Sequence, residues 1–182
     1  VPSAESLIGL ITVDGVIAAG EGGVFSGGGG GDRLLEEIRR AGDDPVKALV
    51  VRINSPGGSA AASQEIHEEL KKIREKGKVV VVSMADMAAS GGYMVACAAD
   101  YVVANPATIT GSIGVIIDAT NMQGLYDLLG IEYEVIKSGE FKDTLNPARS
   151  LTDAEKELLE VMVSDIYDQF VDIVVEGRGL SR

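Results

Sequence analysis

The chain has 182 residues with 28 acidic and 16 basic side chains, and its formal net charge of −12 argues against a nucleic-acid partner. A hydrophobic content of 46% is enough for one domain with a substantial core, which we expect to cover residues 1–182. The sequence contains no apolar run of about 18 residues that could cross a membrane. Its one cysteine, Cys97, lies in an apolar segment, which predicts a buried structural thiol and no internal disulfide.

The first half of the chain predicts strands and helices in alternation. Apolar runs predict strands, and amphipathic segments between them predict helices. The strands are Leu7–Val13, Lys47–Ile53 and Lys78–Val82, and the helices are Arg33–Ala41, capped by Asp32, and a segment ending near Lys76 with Ile66, Leu70 and Ile73 on one face. Near-continuous apolar strands separated by helices indicate an α/β fold with a mostly parallel sheet.

A glycine-dense segment, Val16–Gly31, interrupts this alternation. It ends in five consecutive glycines, Gly27–Gly31. Because ordering glycines costs much backbone entropy, we expect a mobile loop here, and the sequence assigns no role to it.

The second half of the chain predicts short strands followed by helices. The strands are Tyr101–Ala104, Ile113–Ile117 and Glu132–Ile136, and the helix Met122–Leu129 is stopped by Gly130. A capping box of Thr152 and Glu155 opens a long helix that we expect to run to about Glu176 and to end at Gly177. The apolar face of this helix is broad, which predicts packing on a core or on a neighbouring subunit.

Ser90 is the candidate nucleophile. It follows the β-forming run Val79–Val82 and precedes Gly91 and Gly92, which is the layout of a tight strand-to-helix turn. The pattern is close to the G-x-S-x-G nucleophile elbow, with Ala88 in the place of the first glycine. Free N–H groups at the start of the following helix would suit a developing oxyanion. The same residues would also suit a simple turn before a buried helix.

A serine nucleophile needs a base within hydrogen-bond reach. The only histidine, His67, neighbours several glutamates beside the apolar stripe of its helix, so we expect a surface residue and disfavour a Ser-His-Asp triad. A lysine base must be neutral, which requires burial or cationic neighbours to lower its pKa from about 10.4. Lys137 and Lys142 stand apart from the charged helices. Their ordinary roles would be a strand-end charge and a loop lysine paired with Asp143, and spacing leaves the choice of base open.

Four motifs resemble those of signal peptide peptidase A, the membrane-bound serine–lysine peptidases related in fold to the Clp protease proteolytic subunit and the crotonases. They stand in family order, and the match to the family covers nearly the whole chain. The motifs are INSPGG at Ile53–Gly58, MAASGGYM at Met87–Met94, TGSIGV at Thr110–Val115 and IKSGEFKD at Ile136–Asp143. The resemblance implies a Clp-protease/crotonase-like α/β fold with a mostly parallel sheet and flanking helices.

The resemblance also implies a role for each matched side chain. Ser90 corresponds to the family's nucleophile and Lys142 to its general base, and one subunit would supply both. Ser112 corresponds to the serine that hydrogen-bonds the lysine and orients it. The implied reaction is cleavage of a peptide by a Ser-Lys dyad, with no metal and no cofactor.

Glycine backbones would form the implied oxyanion hole. The Gly91 N–H would combine with an N–H from Gly57 or Gly58, and the sequence does not choose between these two. Glycine suits this task because it lets the backbone approach a tetrahedral oxygen without an intervening side chain.

The resemblance further implies substrates, partners and location. Hydrophobic remnant signal peptides and similar unfolded segments would bind in extended form, and subunits would assemble into a ring or dome, an octamer in the family. The family's N-terminal membrane anchor and a further C-terminal segment are not found in this sequence, so we expect an extracytoplasmic core that is held at the cell membrane through that anchor.

Two other classes of protein share the fold. A crotonase-like acyl-CoA enzyme would have an oxyanion hole without needing Ser90, and a non-catalytic oligomeric scaffold would need no nucleophile. Neither accounts for the joint occurrence of Ser90, Ser112 and Lys142 in family positions.

Overall fold

The computed structural model describes residues 7–20 and 28–182. In this part of the chain the strands are β1 (Ile8–Asp14), β2 (Val16–Ala18), β3 (Gly28–Gly30), β4 (Ala48–Ser55), β5 (Val79–Ala89), β6 (Tyr101–Val103) and β7 (Ile109–Gly111). The helices are α1 (Gly31–Asp43), α2 (Ala60–Glu75), α3 (Gly91–Ala96), α4 (Gln123–Leu129) and α5 (Asp153–Arg178), and a short 3-10 helix spans Glu140–Asp143.

The main sheet is parallel, as the sequence predicts. Its strand order is β1-β4-β5-β6, and every neighbouring pair in this order is parallel. β7 pairs with Met87–Ala89 at the end of β5, beyond the stretch Val81–Ser83 that pairs with β6. β5 therefore has pairing partners along most of its length and leads directly into Ser90.

Helices α1, α2 and α3 contribute apolar side chains to one core with this sheet. Ile38 of α1 and Ile66 of α2 are fully buried in it. A smaller cluster joins Cys97 to Phe170 of α5. Burial raises the pKa of Cys97 to about 11, so its thiol stays protonated at neutral pH. The predicted buried structural thiol is confirmed.

The prediction of a loop through Val16–Gly31 is wrong where the structure describes this segment. β2 pairs in parallel with the glycine strand β3, and Gly31 already begins α1. Gly31 packs closely against the end of β2 because it has no side chain: a Cβ there would lie 2.5 Å from the carbonyl oxygen of Ala18. Residues 21–27, including Gly27, lie outside the described residues.

Two predicted strands in the second half are wrong. Ile113–Ile117 and Glu132–Ile136 form no strand within residues 7–20 and 28–182. The last strand before them in the sequence is β7. Ile116 and Ile136 are 81% and 101% exposed. High β-propensity forms a strand only where another strand supplies hydrogen bonds and packing. The predicted helix stopped by Gly130 is confirmed as α4, with Gly130 left-handed at φ 66°.

Chain contacts divide the protein into two compact units, residues 1–114 with 169–182 and residues 115–168. The first unit contains both sheets and α1 to α3, and the second contains α4 and the 3-10 helix. The single domain over residues 1–182 stays a prediction. Within residues 7–20 and 28–182, no helix combines the length and apolarity needed to cross a membrane.

Helix α5 begins as predicted and ends two residues later than expected. The capping box is confirmed: the Glu155 N–H donates to Thr152 Oγ1 at 3.2 Å, and the Thr152 N–H donates to Glu155 Oε2 at 2.8 Å. Gly177 does not stop the helix. Instead, Gly179 takes the left-handed conformation at φ 62°, and the Leu180 N–H closes the end of the helix on the Val175 carbonyl.

His67 is buried, so the prediction of a surface histidine is wrong. It is 4% exposed and lines a cavity of about 340 Å³ with Lys71, Cys97 and Glu176, among others. Its Nδ1 lies 3.4 Å from Glu68 Oε1 without the geometry of a hydrogen bond. The pKa of His67 is lowered mainly by burial, which outweighs the attraction of the Glu68 carboxylate. The neighbouring Glu65 and Glu68 are exposed, whereas His67 itself is buried.

Replacing Gly177 tests its packing role. A Cβ there would lie 2.3 Å from the Cys97 carbonyl oxygen, so we expect Gly177→Ala to lower the free energy of unfolding by about 1–3 kcal/mol despite the higher helix propensity of alanine. Gly124→Ala in α4 is the matched control, because nothing lies within 4 Å of its new methyl group. Urea unfolding measures both. Equal stability of the two variants would contradict the packing role.

The buried histidine also predicts a pH dependence of stability. Because the pKa of His67 lies below its ordinary value of 6.5 in the folded chain, the unfolded chain binds a proton at higher pH. The resulting stabilisation is complete above pH 6.5 and is lost as the pH falls toward the folded pKa. In urea unfolding between about pH 8 and pH 5.5, the free energy of unfolding of the wild type should therefore decrease as the pH is lowered. The corresponding decrease should be smaller in His67→Gln. Identical slopes would contradict this assignment.

Candidate active site

Ser90 occupies a strained turn between β5 and α3. β5 ends at Ala89, α3 begins at Gly91, and the intervening Ser90 has φ 51° and ψ −122°. Such left-handed backbone is uncommon for a residue with a side chain. The Ser90 N–H donates to the Gly111 carbonyl at 2.8 Å, which ties the turn to the end of β7. The predicted strand–turn–helix context of a nucleophile elbow is confirmed.

The glycine turn after β4 is fixed by hydrogen bonds that leave one N–H available. The Gly57 N–H donates to Ser55 Oγ at 3.1 Å, and the Gly57 carbonyl accepts from the Ile17 N–H at 2.9 Å. The Ser59 N–H donates in turn to the Ile17 carbonyl at 2.7 Å. The Gly58 N–H makes no hydrogen bond within the described residues, and Gly58 is exposed whereas Gly57 is buried.

The two glycine segments approach each other beside Ser90. A Cβ on Gly57 would lie 2.6 Å from the Gly91 nitrogen and 2.8 Å from Ser90 Cβ. A Cβ on Gly91 would lie 3.4 Å from the Gly58 nitrogen and 2.2 Å from Ser63 Oγ. Only glycine permits these contacts. Ser90 and the three predicted oxyanion glycines are therefore brought together in the first unit.

Ser112 also belongs to the first unit. It follows Gly111, the residue whose carbonyl accepts from Ser90, and it has a left-handed φ of 53°. Thr110 Oγ1 donates to the Ala88 carbonyl at 2.8 Å, which fixes the other side of the same turn. The Ser112 side chain is exposed.

Lys142 lies in the second unit, on the 3-10 helix Glu140–Asp143. Its side chain is exposed and makes no hydrogen bond or ion pair within residues 7–20 and 28–182. The alternative role of pairing with Asp143 is wrong, because Asp143 is bound by Lys137 at 2.7 Å and by Arg149 at 2.9 Å. Of the two candidate lysines, Lys137 is thus committed to an ion pair.

Sequence reasoning missed three polar residues that hold these segments in place. Ser55 binds the Gly57 N–H, and its position before Pro-Gly is typical of a serine turn. Ser63 packs against Gly91 and donates to the Ser59 carbonyl at 2.8 Å. Arg149 pairs with Asp143 next to Lys142, and no local pattern marks it.

Comparison with known proteins places the chain in a peptidase family. Residues 72–182 match the model of peptidase family S49. A protein from Synechocystis whose name calls it a protease is 39% identical over 179 residues, which are 98% of this chain and 61% of that protein. The chloroplastic serine protease SPPA of Arabidopsis thaliana is 38% identical over 151 residues, which are 82% of this chain and 22% of that protein. The chain spans about three fifths or less of the length of these relatives.

Among solved structures, a ClpP1 mutant from Listeria monocytogenes has the same fold. Its TM-score is 0.59 at 15% identity, and the match covers 94% of this chain and 73% of that one. The predicted Clp-protease-like α/β fold is confirmed. The family match includes the segments of Ser90, Ser112 and Lys142. The resemblance seen in the motifs is thus confirmed, and the chain belongs to peptidase family S49.

Proposed function

We propose that the protein is a serine endopeptidase in which Ser90 is the nucleophile and Lys142 is the general base. The observation that carries the proposal is the left-handed Ser90 between β5 and α3, with the backbones of Gly58 and Gly91 beside it. Membership of peptidase family S49 supports the reaction class. A crotonase-like enzyme would have no need of a strained serine at this point.

The oxyanion hole consists of the Gly91 and Gly58 N–H groups. The geometry favours Gly58 over Gly57, because the Gly57 N–H is buried and already donates to Ser55 Oγ. Two preorganised N–H donors stabilise the negative charge that develops on the scissile carbonyl oxygen. Ser55 supports this arrangement by holding the Gly57-Gly58 turn.

Ser90 Oγ attacks the scissile carbonyl carbon, and the neutral amine of Lys142 accepts the proton of the Ser90 hydroxyl. The lysine then protonates the leaving amine, and water releases the acyl group with the same lysine as base. Ser112 orients the Lys142 amine through its hydroxyl. One chain supplies all of these groups.

Substrates and assembly follow the resemblance. Hydrophobic remnants of signal peptides and similar unfolded segments bind in extended form by strand addition. The catalytic domain works on the extracytoplasmic side of the cell membrane, to which an N-terminal anchor holds it. Large exposed apolar side chains in the second unit, Ile116, Leu128 and Ile136 among them, support burial in a ring or dome of subunits such as an octamer.

Intact-mass analysis with a fluorophosphonate tests the dyad. We expect one adduct on the wild type, none on Ser90→Ala, and labelling of Lys142→Ala slowed by about 10²- to 10⁴-fold, which is the usual contribution of a general base. Lys156→Ala is the matched control, because Lys156 is an exposed lysine of the second unit that pairs with Asp153.

Two outcomes would contradict the proposal. The absence of an adduct on the wild type would argue for a scaffold. Labelling that survives Lys142→Ala but is lost in Lys137→Ala would assign the base to Lys137.

A further inference from the structure

The second unit contains an ion cluster next to the segment of Lys142. We call it the Arg149 cluster, and it consists of Lys137, Asp143, Arg149 and Glu155. All four residues lie within residues 115–168. The catalytic steps above use none of them, although Asp143 directly follows Lys142 in the chain.

Arg149 binds two carboxylates at once. Its Nη1 and Nη2 donate to the two Glu155 oxygens at 2.7 and 2.6 Å. Its Nε donates to Asp143 Oδ2 at 3.1 Å, and its Nη2 lies 2.9 Å from Asp143 Oδ1. The Nη2 also donates to the Asp143 backbone carbonyl at 3.3 Å. The planar guanidinium suits this double fork, which a lysine could not reproduce.

Glu155 is the fixed end of the cluster. Its side chain is 1% exposed, and it sits in the first turn of α5. Its carboxylate also accepts from the Thr152 N–H at 2.8 Å and from Thr144 Oγ1 at 3.3 Å. The hydrogen bonds from Arg149 and Thr152 lower the pKa of Glu155 to about 2, so it stays charged at any working pH. Arg149 is thereby anchored to the start of a 26-residue helix.

Asp143 connects the Arg149 cluster to the 3-10 helix that contains Lys142. Besides Arg149, its carboxylate accepts from Lys137 Nζ at 2.7 Å, and the same Nζ donates to the Glu140 carbonyl at 2.8 Å. Hydrogen bonds from Arg149 and Lys137 hold the pKa of Asp143 well below its usual range. Both ends of the 3-10 helix Glu140–Asp143 are therefore bound by the cluster.

The backbone after the 3-10 helix shows that this region is tightly constrained. Leu145 has a left-handed φ of 68°, which is unfavourable for a residue with a side chain and persists only where surrounding contacts enforce it. The Asp143 carbonyl, which Arg149 contacts, also accepts from the Asn146 N–H at 3.0 Å across this residue. Among the described residues, the buried apolar clusters include no side chain of residues 115–168, and Phe141 is 44% exposed.

We propose that Arg149, anchored by Glu155, is a positioning residue that fixes the 3-10 helix through Asp143 and so sets the place of the Lys142 amine. This inference rests on the proposed function, because it assigns the cluster a part in the same Ser-Lys reaction. Arg149, Glu155 and Asp143 touch neither substrate nor the reacting atoms, and they act through Lys142.

Two variants weaken the cluster at different points. Asp143→Asn removes the charge and one of the two acceptor oxygens through which Arg149 and Lys137 bind residue 143, while the pair of Arg149 and Glu155 keeps both of its charges. Arg149→Lys keeps the charge and loses the double fork. Removing a negative neighbour would by itself favour a neutral lysine, so an electrostatic role of Asp143 predicts equal or faster acylation in Asp143→Asn, whereas positioning predicts slower acylation.

The experiment measures acylation of Ser90 by a fluorophosphonate over a range of reagent concentrations. We expect both variants to reach the wild-type extent of labelling with unchanged half-saturation and a limiting rate lowered by about tenfold or more, part of the 10²- to 10⁴-fold that a general base contributes. Asp153→Asn is the matched control: it removes an exposed carboxylate paired with Lys156 in the same unit, and its limiting rate should equal that of the wild type.

The possible outcomes separate this inference from the dyad. Wild-type limiting rates in Asp143→Asn and Arg149→Lys, with labelling still dependent on Lys142, would overturn the positioning role and leave the dyad standing. A lower labelled fraction at an unchanged limiting rate would show a purely structural cluster and would overturn it too. Wild-type labelling independent of Lys142 would refute the dyad, and the positioning role would fall with it.

Discussion

Ser90 holds its left-handed backbone conformation because three other segments of the first unit fix its surroundings. The Gly111 carbonyl accepts a hydrogen bond from the Ser90 N–H, and Gly57 packs against the Ser90 Cβ. Ser63 limits the space around Gly91. A strained residue of this kind costs about 1–3 kcal/mol and persists only where such contacts over-determine it. The long β5, paired with β6 and then with β7, provides the rigid approach to this point. The strain therefore depends on the parallel sheet.

The close approach of glycine backbones has a chemical consequence. A Cβ on Gly57 would lie 2.6 Å from the Gly91 nitrogen, next to Ser90. Because Gly57 has no Cβ, no side chain of this residue covers the Gly91 N–H. The hydrogen bonds with Ser55 and Ile17 occupy the polar groups of Gly57, and the Gly58 N–H makes no hydrogen bond within residues 7–20 and 28–182. A hydrogen-bonding pattern that stabilises the turn thus also selects which N–H remains available to a ligand.

Sequence reasoning succeeded where local chemistry decides the structure. The sequence predicts strands β1, β4, β5 and β6 of the main sheet, the elbow at Ser90, the capping box at Thr152 and the helix end at Gly130, which all follow from residues close in sequence. It does not predict the short strand β7, and β5 continues to Ala89, beyond the predicted end at Val82. It failed where a distant partner decides. Gly28–Gly30 becomes a strand because Val16–Ala18 pairs with it, and Glu132–Ile136 finds no strand partner in the described part of the chain despite its β-propensity. His67 is buried and lines a cavity with Cys97 and Glu176, which are distant from it in the sequence, and no pattern within α2 reveals this.

The two proposed catalytic residues are held by different kinds of force. Ser90 is fixed by backbone packing and hydrogen bonds in a unit with a large apolar core, whereas Lys142 lies on a four-residue 3-10 helix in a unit with many exposed apolar side chains. A segment without a core must be ordered by directional polar contacts, and the double fork of Arg149 supplies them. The spacing of apolar residues along the sequence does not predict such polar contacts. A positioning arginine is therefore the kind of functional residue that only a structure reveals.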